Sequence, residues 1–178
     1  MFKVIDYWER RYRNGRDSGA GSRGHYGKEK ADSVNRLIAE SNVRTVVDWG
    51  CGDGMIAARI IAPRYIGLDV SPAALELCQQ TADGPGREWH LYDGFTDPGV
   101  RGDLALSLEV IFHLVDDAMY RRYMELLFSS APLVCIVSSN RNERGEPHVL
   151  HRMFTHDVPA EFKLLRHERN VWLFGRES

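Results

Sequence analysis

The run Val46-Val47-Asp48-Trp49-Gly50-Cys51-Gly52-Asp53-Gly54 constrains this chain more than any other stretch. A short β-branched segment ends in an acid, and three glycines follow at alternate positions. The apolar run Met55-Ile56-Ala57-Ala58-Arg59-Ile60-Ile61 comes next. This pattern predicts a buried strand, a tight glycine turn and the first turns of a helix. Glycine is required where a ligand touches the backbone, because a Cβ would block the approach or forbid positive φ. A helix N-terminus beyond the turn would add unpaired N–H groups facing an electron-rich ligand.

Two cofactor classes use such a turn, and the spacing separates them in part. Read from Gly50, a dinucleotide fingerprint needs glycine at position 55, where Met55 stands. Read from Gly52, Gly52-Asp53-Gly54-Met55-Ile56-Ala57 satisfies G-x-G-x-x-A, so a NAD-dependent oxidoreductase stays open. Asp48 and Asp53 oppose it, since both place negative charge where a pyrophosphate would lie. A cofactor with a cationic amino-acid end would be drawn to the same acids. The pattern Asp-x-Gly-x-Gly-x-Gly resembles motif I of the class I S-adenosylmethionine-dependent methyltransferases, in particular the small stand-alone bacterial type.

Arg64-Tyr65-Ile66-Gly67-Leu68-Asp69-Val70 reads as a second strand with an acid near its end. One carboxylate there can accept from both hydroxyls of a ribose, which suits any adenosine cofactor. Ser71-Pro72 opens the next helix as N-cap and first helical residue. Arg87–Asp93 and Leu104–Val110 read as third and fourth strands, a helix is expected over 118–130, and Leu133–Ser139 reads as the fifth strand. Residues 162–167 and 170–175 close the chain as an antiparallel hairpin.

Alternating strands and helices predict an α/β, doubly wound sheet. The resemblance, over residues 43–175, implies a Rossmann-like seven-stranded sheet of order 3-2-1-4-5-7-6 with the last inserted strand antiparallel. It further implies S-adenosylmethionine as cofactor, held by Asp48, Gly50, Cys51, Gly52, Gly54, Asp69 and Val70. Asp93 and Gly94 are expected beside the adenine, and Glu109 at the end of the fourth strand, where the family commonly carries Asp.

At 178 residues the chain is one domain with room for one core. It shows no repeats, no bilayer-length apolar run and no signal peptide. Cys51, Cys78 and Cys135 lack CxxC spacing and read as reduced thiols, hence a cytoplasmic protein. A net charge of −2 argues against a nucleic-acid partner. His148, His151 and His156 lack the spacing of a metal site.

Residues 1–30 read as a lid or cap. Glycines interleave with arginines and aromatics there, and Arg23, His25 and Tyr26 are expected to close on an acceptor. Tyr7–Tyr12 reads as a short amphipathic helix ahead of the glycines, and a solvated tail is the alternative. His113, just beyond the fourth strand, is the candidate general base, oriented by Glu109. Arg141, His151 and Arg152, beyond the fifth strand, are candidate contacts for an anionic or sugar-like acceptor. No Asn-Pro-Pro-Tyr-like segment follows the fourth strand, which favours oxygen in a small molecule or glycan over base or amide nitrogen. A methyltransferase-like module without catalysis is the remaining alternative.

Overall fold

The computed structural model describes residues 3–177, so the first two residues of the expected lid lie outside the described residues. Its helices are α1 (Val4–Arg13), α2 (Gly24–Glu40), α3 (Pro72–Ala82) and α4 (Asp117–Ser129). Its strands are β1 (Thr45–Trp49), β2 (Arg64–Asp69), β3 (Arg87–Leu91), β4 (Leu104–Leu108), β5 (Leu133–Val137), β6 (Glu143–Arg144), β7 (Leu150–His151), β8 (Phe162–Glu168) and β9 (Val171–Arg176). Seven of them form one sheet in the order β3-β2-β1-β4-β5-β9-β8. Strands β1 to β5 run parallel, and β9 is inserted antiparallel between β5 and β8. With β8 and β9 as sixth and seventh sheet strands, this is the expected 3-2-1-4-5-7-6 order.

The central strands are continuous apolar runs because both faces of the sheet are covered. On one face Trp49, Tyr123, Phe128, Ile136 and Phe154 pack together under α4. On the other, Ala31, Val34 and Leu37 of α2, at helical spacing, meet Val46, Tyr65, Leu104 and Cys135. Each such large side chain contributes roughly 1.5–3 kcal/mol by leaving water. Helix starts follow local chemistry. Ser71 Oγ accepts from the Ala74 amide (3.1 Å) ahead of Pro72, and Asp116 accepts from the Met119 amide (2.9 Å).

The structure departs from expectation directly after β1. Instead of a helix, residues 55–63 form one 3-10 turn, Ala57–Arg59, and then re-enter the sheet. Pro63 precedes β2 and biases Ala62 away from helical backbone, so too little chain remains for a longer helix. Ile56, Ala57 and Ile60 still turn inward, which accounts for the apolar run. The third strand also stops early, at Leu91 rather than Asp93.

The N-terminal segment is largely helical. Helix α1 lies against α3, where Glu9 accepts from Ser71 Oγ (2.6 Å) and the Ala73 amide (3.1 Å). Arg13 grips Glu76 with both guanidinium nitrogens, at 2.8 and 2.9 Å. Helix α2 starts at Gly24, so residues 24–30 belong to a continuous helix rather than to a hinge. No helix among the described residues is long and apolar enough to cross a membrane.

Candidate functional site

At the carboxyl edge of the sheet, where β1 ends between β2 and β4, a cleft of about 340 Å³ opens. Gly50 and Gly52 make its floor, with φ of +86° and +58°. A Cβ on Gly50 would meet Val110 at 2.6 Å, and one on Gly52 would collide with Ser18 Oγ. Both positions therefore need glycine for conformation and for space.

Asp48 stands below this turn, only 2 % exposed. The Tyr65 hydroxyl donates to its Oδ2, while Oδ1 has no protein partner. Burial, with Asp69 nearby, pushes its carboxyl up to about 7. Asp69, also buried, accepts from the Gly52 amide (3.0 Å) and the Ser71 amide (3.0 Å). Burial raises it to about 6 against those bonds. Two buried acids facing one cavity make a strongly cation-seeking site. The 3-10 turn that replaces the expected helix supplies no helix N-terminus for a pyrophosphate, so the floor does not suit a dinucleotide.

Residues 14–23 and α1 roof the cleft. Ser18 and Asp53 exchange two hydrogen bonds, Ser18 N to Asp53 Oδ2 and Asp53 N to Ser18 Oγ, both 3.1 Å. Arg23 ties Asp53 (2.7 Å) to Asp17 (2.7 Å), fastening the loop onto the glycine turn. Tyr12 hydroxyl reaches Ser18 Oγ at 3.0 Å. Asp53 therefore serves the roof rather than the cavity.

Across the cleft, β4 is followed directly by Glu109, whose backbone is left-handed (φ +63°) without being glycine. Such strain marks positions held by their surroundings for a purpose. Lys30, almost buried on α2, donates to Glu109 Oε2 at 2.5 Å. Gly21 lies so close that a Cβ there would strike the Glu109 carboxylate.

His113 lies in the 3-10 turn Ile111–His113 that follows β4, and it lines the same cavity. Its ring meets Trp8 edge-on at 4.9 Å and stacks on His148 at 5.5 Å. Nδ1 donates to the His148 carbonyl (2.9 Å), which assigns the proton to Nδ1 and leaves Nε2 as the accepting nitrogen. Burial pulls this imidazole down to about 4, so it is neutral at pH 7. It does not titrate near 6–7 as an exposed histidine would.

Asp48, Gly50, Cys51, Gly52, Asp69, Val70, Glu109 and His113 thus share one cavity. The remaining candidates lie elsewhere. Gly54 (φ +78°) lets the backbone approach Cys78 on α3. Asp93 caps its own turn through Phe95 and Thr96, which hold it at about 2, and Tyr92 lines the cavity instead. Gly94 sits against Met119. His25 and Tyr26, on the first turn of α2, face solvent, His25 paired with Glu29. Arg141 pairs with Glu143, and His151 Nδ1 bonds Ser139. Arg152 reaches the Leu114 carbonyl and Asp117 and covers the Tyr120 ring. The cavity walls that sequence did not single out are Trp8, Arg11, Tyr12, Ser18 and Tyr92.

The fold is that of the class I S-adenosylmethionine-dependent methyltransferases. The N-methyltransferase NodS from Bradyrhizobium japonicum WM9, solved with S-adenosyl-L-homocysteine, superimposes with a TM-score of 0.81 at 17% identity. That match covers 99% of this chain and 100% of that one. Magnesium protoporphyrin IX methyltransferase (ChlM) from Synechocystis PCC 6803 gives 0.71 at 17% identity, covering 98% of each chain. A sugar N-methyltransferase from Streptoalloteichus sp. ATCC 53650 gives 0.65 at 17% identity, covering 100% of this chain and 94% of that one. By sequence, a ubiquinone biosynthesis O-methyltransferase of Azorhizobium caulinodans is 26% identical over 106 residues. The match takes in 56% of this chain and 42% of that protein, less than half its length. No family model matches the chain.

Proposed function

We propose that this chain is an S-adenosylmethionine-dependent methyltransferase acting on the oxygen of a small-molecule or glycan acceptor. The observation that carries the reading is the buried Asp48 carboxylate, with Oδ1 unpartnered at the glycine turn and Asp69 beside it. That pair suits a cofactor with an ammonium group and a ribose diol, and it opposes a dianionic pyrophosphate. The relatives described above are methyltransferases for oxygen, nitrogen and sugar acceptors, and two were crystallised with the demethylated cofactor.

When bound, S-adenosylmethionine supplies an electrophilic methyl group on a sulfonium. Asp48 Oδ1 would take the ammonium end, and Asp69 would hold the ribose hydroxyls while keeping its bonds to Gly52 and Ser71. Glycines 50 and 52 allow the backbone approach, with Cys51, Val70 and Tyr92 as walls. Methyl transfer needs alignment of the acceptor and removal of one proton. His113 Nε2 accepts that proton. Its low basicity suffices, because an alcohol oxygen becomes strongly acidic as the new carbon–oxygen bond forms. The N-terminal roof excludes water and is released by breaking the Arg23–Asp53 and Ser18–Asp53 bonds.

Calorimetry with S-adenosylhomocysteine and with NAD tests the assignment. Binding of the first and none of the second is expected. NAD binding with no response to S-adenosylhomocysteine would overturn it.

A further inference from the structure

A second groove, of about 480 Å³, lies between α2 and the β8–β9 hairpin. It exists because the connection from β5 to β8 carries only a small hairpin and a 3-10 turn, so the α2 side of β9 has no helix of its own. Its floor is apolar, made by Leu37, Cys135, Val137, Val171 and Leu173.

Two features give the groove direction. Its inner end is the Lys30–Glu109 pair, and Glu109 also lines the cofactor cleft, so one carboxylate forms the partition between the two cavities. At the rim the charged side chains differ in their pairing. Glu29 pairs with His25 and Asp32 with Lys28, both along α2, and Arg166 pairs with Glu40. Arg36 and Arg169 line the groove and form no ion pair among the described residues; Glu168 likewise forms none, and Glu29 faces a histidine that carries charge only when protonated.

We infer that this groove holds the distal part of the methyl acceptor, an elongated molecule with an apolar body and a terminal carboxylate or phosphate. The anion sits at Arg36 and Arg169, the body lies over Val171 and Leu173, and the reacting hydroxyl passes Glu109 into the cleft. This assignment rests on the methyl-transfer reading. The acceptor oxygen bonds to the methyl carbon, the carbon–sulfur electrons stay on sulfur, and the hydroxyl proton goes to His113. Guanidinium groups fit the far end because they bind a planar carboxylate with two parallel hydrogen bonds. Glu109 lines both cavities, which favours an acceptor over an unrelated ligand, since an occupant of the inner end of the groove lies beside the cleft.

The test uses two probes with one body, 4′-hydroxybiphenyl-4-carboxylate and 4-hydroxybiphenyl. Their affinities are measured by calorimetry on the full chain with S-adenosylhomocysteine present. The wild type is expected to prefer the carboxylate about tenfold, as two partly exposed charge-assisted contacts allow. Arg36→Gln/Arg169→Gln is expected to remove that preference while S-adenosylhomocysteine affinity stays within about twofold. Arg59→Gln/Arg121→Gln lowers net charge equally on other surfaces and is expected to keep it. Equal affinity for both probes in the wild type, or a preference surviving in Arg36→Gln/Arg169→Gln, overturns the inference. A groove preference without S-adenosylhomocysteine binding supports the anion site and removes the methyl-transfer reading.

Discussion

Replacing Asp48 by Asn should make the ligand-free protein more stable while abolishing cofactor binding. In the folded state burial holds the Asp48 carboxyl at about 7, against an ordinary value of 3.8. The folded chain therefore binds more protons than the unfolded chain between those values, and stability falls as pH rises through that window. A shift of about 3 units corresponds to at most roughly 4 kcal/mol at pH 8. The amide keeps an acceptor for the Tyr65 hydroxyl but places an N–H where Oδ1 stood, which costs about 1–3 kcal/mol if unpaired. The net gain of about 1–3 kcal/mol corresponds to a Tm raised by roughly 3–9 °C for a chain of this size. Melting curves of both proteins from pH 4 to 8.5 read the effect. The difference should be unfavourable to the variant by about 0.5–2.5 kcal/mol at pH 4, change sign as pH rises, grow to about pH 7 and stay nearly flat above. The buried His113 titrates alike in both proteins and cancels from the difference. Added S-adenosylhomocysteine should raise the wild-type Tm and leave that of Asp48→Asn almost unchanged. A variant melting below the wild type at pH 8, or a difference independent of pH, would refute the account.

Asp69→Ala should weaken S-adenosylhomocysteine binding by roughly 1.5–3 kcal/mol, about 10–150-fold by calorimetry, with an unchanged affinity counting against the ribose role. His113→Asn should lower turnover about 10²–10⁴-fold at saturating cofactor with little change in cofactor affinity. At saturating cofactor, which keeps Asp48 and Asp69 ionised, wild-type turnover should be flat from pH 6 to 8, because burial holds the imidazole at about 4, and should fall only toward that value. A limb near 6–7 in turnover would assign proton removal to another group. Arg23→Leu removes the tie between Asp17 and Asp53, and stopped-flow release of S-adenosylhomocysteine should quicken about 3–10-fold, modest because the guanidinium is partly exposed.

The glycine turn and the acids at the tips of β1 and β2 were legible in the sequence because they are local requirements. Positive φ at Gly50 and Gly52 and the placing of Asp48 and Asp69 at the ends of β1 and β2, one residue short of the end in β1, follow from neighbours within a few residues. The roof was legible in kind but not in detail. Ser18 meets Asp53 and Lys30 meets Glu109 across long stretches of chain, and no short-range pattern announces either pair. His25 and Tyr26 pointed to the cleft by composition, but the helix that starts at Gly24 turns them to solvent. The missing helix after β1 had a signal in Pro63, which the apolar spacing of residues 55–61 outweighed. The depressed basicity of His113 comes from burial, and the rings that pack on it, Trp8 and His148, are distant from it in the sequence.

Glu9 of α1 holds both Ser71 Oγ and the Ala73 amide, and the Ser71 amide in turn donates to Asp69. The N-terminal helix and Asp69 are therefore joined through Ser71 in one hydrogen-bonded relay. Coupling of this kind is reciprocal. A nucleoside seated on Asp69 should slow amide exchange along α1, and a substitution such as Glu9→Gln on that helix should loosen the hold on adenosine. The first helix of the chain then acts as a reporter of occupancy at the second strand.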